Sequence, residues 1–335
     1  MLGTANAIAG KARAIYGKRI TPIQYAELLR LNSVSQVCSY LKQNTYYQTE
    51  LKGIDEYTVY RGQLELLLQR SRIKRYISLC HYDFSGHFYN YVIKKIECEI
   101  ILKAIMYIKL NTPQELITKI PMFIKEYTCL NFDAILKSAT FSQLLDALKD
   151  TGYEECLKHF NTENETINYQ GCELALKIFY YDEILKDINK NYSGKTRKEL
   201  EEVILIEIEL LNISLIYRLK YYLKKPKEEI MQMIIPHYYK LNKKQIDILL
   251  SDNCDIVSKL HQYNKTIRDV DFTYIEDYTK RLKHIVNKKT IRFSASPPVT
   301  FYALMTLMQI EIENLFIIIE GIKYEDNDIK RLLII

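Results

Sequence analysis

Apolar and acidic residues recur along this chain in a repeated phrase. "IECEI" occupies 96–100, "IEIEL" 206–210 and "IEIEN" 310–314, each followed by a mostly apolar run of about ten residues. The separations are 206−96 = 110 and 310−206 = 104 residues. Read alone, "VILIEIELL" alternates like a strand. Yet Glu201 to Lys225 contains no Gly or Pro, which is too long for a typical strand. Superposing the three copies on their shared Ile-Glu aligns Ile93, Val203 and Leu307, then Ile96, Ile206 and Ile310. Ile100, Leu210 and Asn314 follow, then Ala104, Ser214 and Ile318, then Tyr107, Tyr217 and Gly321. Steps of three and four residues trace one seam along a helix. The pattern predicts one long helix used three times.

A second element repeats upstream of the first. "YAELLRLNSVSQVCSYLKQNTYY" (25–47) and "FDAILKSATFSQLLDALKDTGYE" (132–154) share Ser35/Ser142, Gln36/Gln143, Leu41/Leu148, Lys42/Lys149 and Tyr46/Tyr153, each pair 107 apart. A third counterpart, "QIDILLSDNCDIVSKLHQY" (245–263), aligns only loosely. The first two long helices are also followed by Pro-bounded segments, "TPQELITKIP" and "KPKEEIMQMIIP", and Pro is a natural helix stop. Two elements recurring at nearly one period predict an all-α chain of three similar helical bundles, placed at 1–112, 113–225 and 226–335.

Composition supports this reading. The 335 residues exceed one compact core, and 48% hydrophobic with 26% charged residues is an ordinary globular balance. Gly (10) and Pro (7) are too scarce for a turn-rich β architecture. Seven scattered cysteines without a C-x-x-C argue for a reducing compartment, against disulfide staples and against a zinc site. The acid-free N-terminus "MLGTANAIAGKARAIYGKR" shares that feature with transit peptides, but a first helix packed into the fold is expected. The longest apolar stretches, 203–219 and 301–319, carry Glu207, Glu209 and Arg218, or Glu311 and Glu313, so no transmembrane segment is expected.

Candidate chemistry is sparse. Paired acids two residues apart point about 200° from each other on a helix, which argues against acid–base catalysis. By the same ~100° step the inner acid (Glu97, Glu207, Glu311) lies roughly 60° from the seam centre. Such a boundary carboxylate needs a Lys, Arg or Tyr partner, which indicates a structural or interfacial role. His81 and His87 near Cys80 lack further ligands at metal-site spacing. No phosphate-loop, dinucleotide, zinc-protease or nucleophile-elbow motif occurs, so no catalytic, cofactor or metal residue is assigned. Basic clusters stand at Arg70, Arg72, Lys74 and Arg75, at Lys220, Lys224, Lys225 and Lys227, and at Lys280, Arg281, Lys283, Lys288, Lys289 and Arg292. With a net charge of +6 and interleaved tyrosines, a basic helical nucleic-acid-binding protein is the competing reading. Neighbouring acids such as Glu228, Glu229 and Asp277 favour solvated helix faces instead.

The stretch "PPVTFYALMTLMQIEIENLFIIIEGIKYEDNDIKRLLI" (297–334) resembles the end of the C subunit of bacterial and archaeal V/A-type ATPases, a family that includes the d subunit of eukaryotic V-ATPases. Phe301, Tyr302 and Ala303, then Glu311 and Asn314, then the apolar helix to Gly321 carry the likeness. The opening "ANAIAGKARAIYGKRITPIQYAELL" and the phrase "LKQNTYY" resemble the family's first helices. Two features depart from the family: Met308 and Gln309 replace a basic–acidic pair, and Glu313 replaces an Arg. The resemblance implies three bundles about a pseudo-threefold axis, funnel-shaped. It also implies a non-catalytic central-stalk role, with central shaft subunits and a membrane proteolipid ring as partners. The location so implied is cytoplasmic and peripheral to the membrane, with membrane-surface contact and no nucleic acid. Glu97, Glu207, Glu311, Asn314, Phe301 and Tyr302 are the family-signature candidates for structural or interface roles.

Overall fold

A computed structural model describes residues 2–82, 90–118, 120–160, 167–251, 274–324 and 329–335. His87, Cys254 and the 252–263 portion of the third upstream counterpart lie outside the described residues. Among the described residues the regular structure is entirely helical. In chain order the α-helices are α1 (Leu2–Gly17), α2 (Pro22–Leu28), α3 (Val34–Asn44), α4 (Gln48–Leu51) and α5 (Arg61–Cys80). Then come α6 (Tyr91–Lys109), α7 (Phe132–Lys137), α8 (Phe141–Ala147), α9 (Tyr153–Leu157) and α10 (Tyr169–Asn191). The last are α11 (Gly194–Tyr217), α12 (Lys227–Met233), α13 (Lys243–Leu250), α14 (Ile275–Phe293) and α15 (Pro297–Tyr324).

The three acidic phrases fall on α6, α11 and α15, so length arbitrates for helix over strand as expected. A turn of π-helix, Arg218–Tyr222, continues α11. Short helices begin on side-chain caps: Thr21 for α2, Ser33 for α3, Asn131 for α7, Thr140 for α8 and Asn242 for α13. Each cap oxygen accepts an N–H that the first helical turn would otherwise leave bare. Ser33 and Thr140 are 107 apart, as are their bonded partners Gln36 and Gln143, so the upstream sequence repeat is a pair of equivalent helix starts.

α15 runs through the middle of the packing, against α1, α5, α11 and α14. Its segment Pro297–Ile322 is long and apolar enough to cross a bilayer (mean hydropathy 1.5), but 78% of that window is buried inside the protein. That is the behaviour of a core helix. Gly321 permits a close approach, since a Cβ there would lie 2.6 Å from the Ile329 side chain. The buried apolar side chains fall into three clusters. The largest gathers α6, α7, α8 and α10 with the first halves of α11 and α15. The second joins the later part of α11 to α12, α13 and α14 through Ile213, Ile230, Leu249 and Leu282. The third joins α2, α3, α4 and α5 to the later half of α15 through Leu28, Leu41, Leu68 and Leu315. These clusters cross residues 112 and 225, and the beginning of the chain packs on its end.

Candidate functional site: three carboxylate clamps around a shared cavity

Each long helix buries a carboxylate that grips a peptide N–H on the approach to a short helix. On α6, Glu97 accepts from the Cys129 N–H at 3.0 Å, the Thr128 hydroxyl at 2.6 Å and the Tyr153 hydroxyl at 2.7 Å. On α11, Glu209 accepts from the N–H groups of Tyr239 at 2.8 Å and Leu241 at 2.6 Å. On α15, Glu311 accepts from the Ile20 N–H at 2.8 Å and from the Tyr46 and Tyr47 hydroxyls. Leu241 and Ile20 immediately precede the caps of α13 and α2, while Cys129 stands two residues before that of α7. The Glu97–Cys129 and Glu209–Leu241 bonds both span 32 residues; the Glu311–Ile20 bond spans 291 and ties the last long helix to the first short one.

This chemistry assigns the equivalent acids as Glu97, Glu209 and Glu311. The phrase alignment places Glu207 in the second copy, two residues early. A second pair supports the shifted register. Asn212, three residues after Glu209, exchanges two bonds of 2.9 Å with the Ile235 peptide. Asn314, three residues after Glu311, does the same with Ile334 at 2.8 and 2.9 Å, and also donates to the Tyr25 hydroxyl. The Glu-x-x-Asn spacing at 209–212 and 311–314 was the available sequence signal. Tyr46 and Tyr153, matched in sequence, donate to equivalent clamps; Gly152, at φ 81, turns the chain that delivers Tyr153.

Glu207 has a separate task. Its carboxylate accepts from the Lys283 ammonium at 2.8 Å, the Tyr181 hydroxyl at 3.2 Å and the Tyr302 hydroxyl, with Lys95 at 3.9 Å. It thereby links α6, α10, α11, α14 and α15. Burial pushes this carboxyl up, but the Lys283 and Lys95 charges and the Lys283 and Tyr302 hydrogen bonds outweigh that, holding it down at about 2. Glu311 goes the other way: burial raises it, and its hydrogen bonds only partly compensate. Phe301 and Tyr302 are buried in an aromatic group, with ring centroids 6.2 and 5.2 Å from Tyr91, and Phe301 lies 6.1 Å from Tyr76. These six candidates therefore sit in the interior, where they join elements.

The surface that the long helices present in common is a cavity of about 400 Å³. Lys95, Glu207 and Gln309 line it, each two residues before its clamp, as do Glu99, Leu211 and Glu313, each two residues after. Residues four apart share a helix face, so three helices offer the same face to one space. Tyr180 and Tyr181 of α10 and Lys280 and Lys283 of α14 complete the wall. Charges of both signs line it. Among the described residues no group of three or more His, Cys, Asp and Glu could hold a metal ion, and all six described cysteines are free thiols.

Residues 8–332 match the family described as ATP synthase (C/AC39) subunit. The C subunit of the A-type ATP synthase of Methanosarcina acetivorans is 25% identical over 202 residues, covering 58% of this chain and 55% of that protein. Its namesake from Methanosarcina mazei is 26% identical over 204 residues, with the same coverage of 58% and 55%. The chain thus aligns with about half the length of these curated relatives. The family match extends over nearly the whole sequence, and with it the chain belongs to the ATP synthase (C/AC39) subunit family.

Proposed function

We propose that this protein is a non-catalytic rotor adaptor of a V/A-type ATPase, a socket that couples the central shaft to the membrane proteolipid ring. The carrying observation is the cavity to which α6, α11 and α15 turn equivalent positions: Lys95, Glu207 and Gln309, then Glu99, Leu211 and Glu313. Three like units about a pseudo-threefold axis, open as a funnel, account for that equivalence. On this reading each unit is a long helix, the segment its acid grips, and the short helices that follow. The third unit takes its short helices from the start of the chain.

The dimensions refine the socket. A helix with its side chains is about 10 Å across. The cavity of about 400 Å³ has room for a few side chains of a shaft tip, while the tip itself rests on the rim. Mixed charge on the wall suits a partner steered into register rather than one buried in a dry core. The basic clusters bear on the competing nucleic-acid reading. Lys74, Lys225, Lys227, Lys280 and Lys283 are ion-paired with Glu50, Glu229, Asp247, Glu313 and Glu207, which leaves them poorly suited to phosphate contacts.

In this role the protein works on the cytoplasmic side, peripheral to the membrane. Membranes from cells lacking it should retain ATP hydrolysis by the detached head and lose ATP-driven ion pumping. The full chain should also co-purify with shaft subunits and the ring. Unchanged coupling in the deletion strain refutes the adaptor.

A further inference from the structure

A second, smaller cavity, about 80 Å³, lies between the end of α1, α14 and α15. Tyr16, Arg19, His284 and Lys288 form one part of its polar wall, and Glu311 with Tyr25, Tyr46 and Asn314 another. By water-sized occupancy, roughly 10–15 Å³ each, it holds on the order of five waters, the space of a tetrahedral oxyanion.

Its side-chain charge is unbalanced. Among the described residues Arg19, His284 and Lys288 form no ion pair with a carboxylate. Arg19 stacks 4.4 Å from the Tyr16 ring and donates to the Tyr16 carbonyl. On the same helix α14, by contrast, Lys280 and Lys283 each reach a glutamate. Among the described residues the only side-chain carboxylate in the cavity wall, Glu311, already accepts from Ile20, Tyr46 and Tyr47. The Tyr16 hydroxyl is buried without a hydrogen-bond partner. Burial, reinforced by Lys288, Arg19 and Arg281, pushes His284 down to about 4; burial with Arg292 and Arg19 lowers Lys288. Like charges held together in a half-buried recess repel one another, and a bound anion removes that repulsion.

We propose that this recess binds a phosphate-type dianion, either free inorganic phosphate or the phosphomonoester headgroup of a lipid. The Arg19 fork addresses two oxygens, the Lys288 ammonium a third, and the His284 N–H and Tyr16 hydroxyl supply further donors. The recess is separate from the shaft socket in its donors: Tyr16, Arg19, His284 and Lys288 line only the smaller cavity.

The test titrates inorganic phosphate into the full chain at constant ionic strength, following the melting temperature and the 31P linewidth. A parallel arm measures partition onto vesicles containing phosphatidic acid, a monoester, against phosphatidylglycerol, a diester. The unmodified chain should gain thermal stability with phosphate. Arg19→Gln/Lys288→Gln should weaken binding at least tenfold and remove the phosphate-dependent rise. Relieved of repulsion, that variant should melt at or above the unmodified chain when no phosphate is present, which a merely structural pair of cations would not allow. Lys288→Arg should retain binding. Phosphate-dependent stabilisation with no vesicle preference assigns the free anion; preference for phosphatidic acid that vanishes in the double variant assigns the headgroup. Absence of both effects, or a phosphate response unchanged in the double variant, overturns the proposal. Should the double variant fail to fold, Lys288→Gln alone carries the same comparison.

Discussion

Replacing Glu207 with glutamine removes the carboxylate on which α6, α10, α11, α14 and α15 converge. A carboxyl held at about 2 rather than 4.5 contributes about 3 kcal/mol at neutral pH, from ~1.4 kcal/mol per tenfold change in proton affinity. The variant also leaves the Lys283 ammonium buried without its counter-charge, which places the loss at about 3–5 kcal/mol. With ~2.1 cal/mol/K of unfolding entropy per residue, a cooperative unit of this size melts about 4–7 °C lower. The sign with pH is fixed by the direction of the shift. Because the folded carboxyl is depressed, its contribution is complete above about pH 4.5 and is lost as pH falls towards 2. At pH 3 less than half should remain. Thermal unfolding of the unmodified protein, Glu207→Gln, Lys283→Met and the double variant at pH 7 and pH 3 measures this. A Glu207→Gln melt within 1 °C of the unmodified protein at pH 7, or a gap equally wide at pH 3, refutes the reasoning.

Glu311→Gln should respond to pH with the opposite slope. Burial raises the Glu311 carboxyl, so its favourable share is present below the unfolded value and lost as pH rises through the folded one. The cost of this variant should therefore be smallest at neutral pH and grow towards pH 4; parallel slopes for the two variants in the same melting series would contradict it. Asn212→Ala strands the buried Ile235 N–H, while the Ile235 carbonyl keeps the His237 N–H, a loss of about 1–3 kcal/mol for the one buried group left unmade. A lower urea midpoint, together with lost hydrogen-exchange protection at the Ile235 amide, is the expected result. Preserved protection there would show that another partner takes over.

The three long helices were legible because helical periodicity is local: α6, α11 and α15 each carry apolar residues at three- and four-residue steps across the acidic phrase. The Tyr46/Tyr153 match was legible for a related reason, since each tyrosine stands 13 residues after the cap of a short helix, 46−33 and 153−140. The register of the second copy was not. "IEIEL" maps onto itself when shifted by two residues, so Ile-Glu alone does not distinguish Glu207 from Glu209. Only the partners do: peptide N–H groups for Glu209, lysine and tyrosine for Glu207. The burial of both acids was also hidden. A carboxylate at the edge of an apolar seam reads as half-exposed until the donors that enclose it, drawn from distant segments, are known.

The link between the two ends of the chain was illegible for a deeper reason. A repeat search expects each unit to be contiguous, whereas the Ile20 N–H finds its carboxylate 291 residues away. The clamp chemistry gives that long link a physical meaning. In the first two copies the acid grips a segment joined to it by continuous chain, so the short helix can drift only as far as its loop permits. In the third no such connection exists, and the start of α2 is held to α15 by the apolar cluster around Leu28, Leu41 and Leu315 and by the donors to Glu311. Loop closure spanning most of the chain carries an entropy cost that grows only as the logarithm of its length, about 0.6 kcal/mol per doubling. A few buried apolar contacts at ~1.5–3 kcal/mol each exceed that increment readily. Hydrophobic burial thus holds the two chain ends together. The directional bonds of Glu311, with two tyrosine hydroxyls where Glu97 has one, fix the angle at which they meet. For a proposed collar that must pass torque between a shaft and a ring, the seam between first and last helices has to be as stiff as the covalent joints. At that seam two adjacent tyrosines, Tyr46 and Tyr47, supply both hydroxyls, where Glu97 draws on Thr128 and Tyr153.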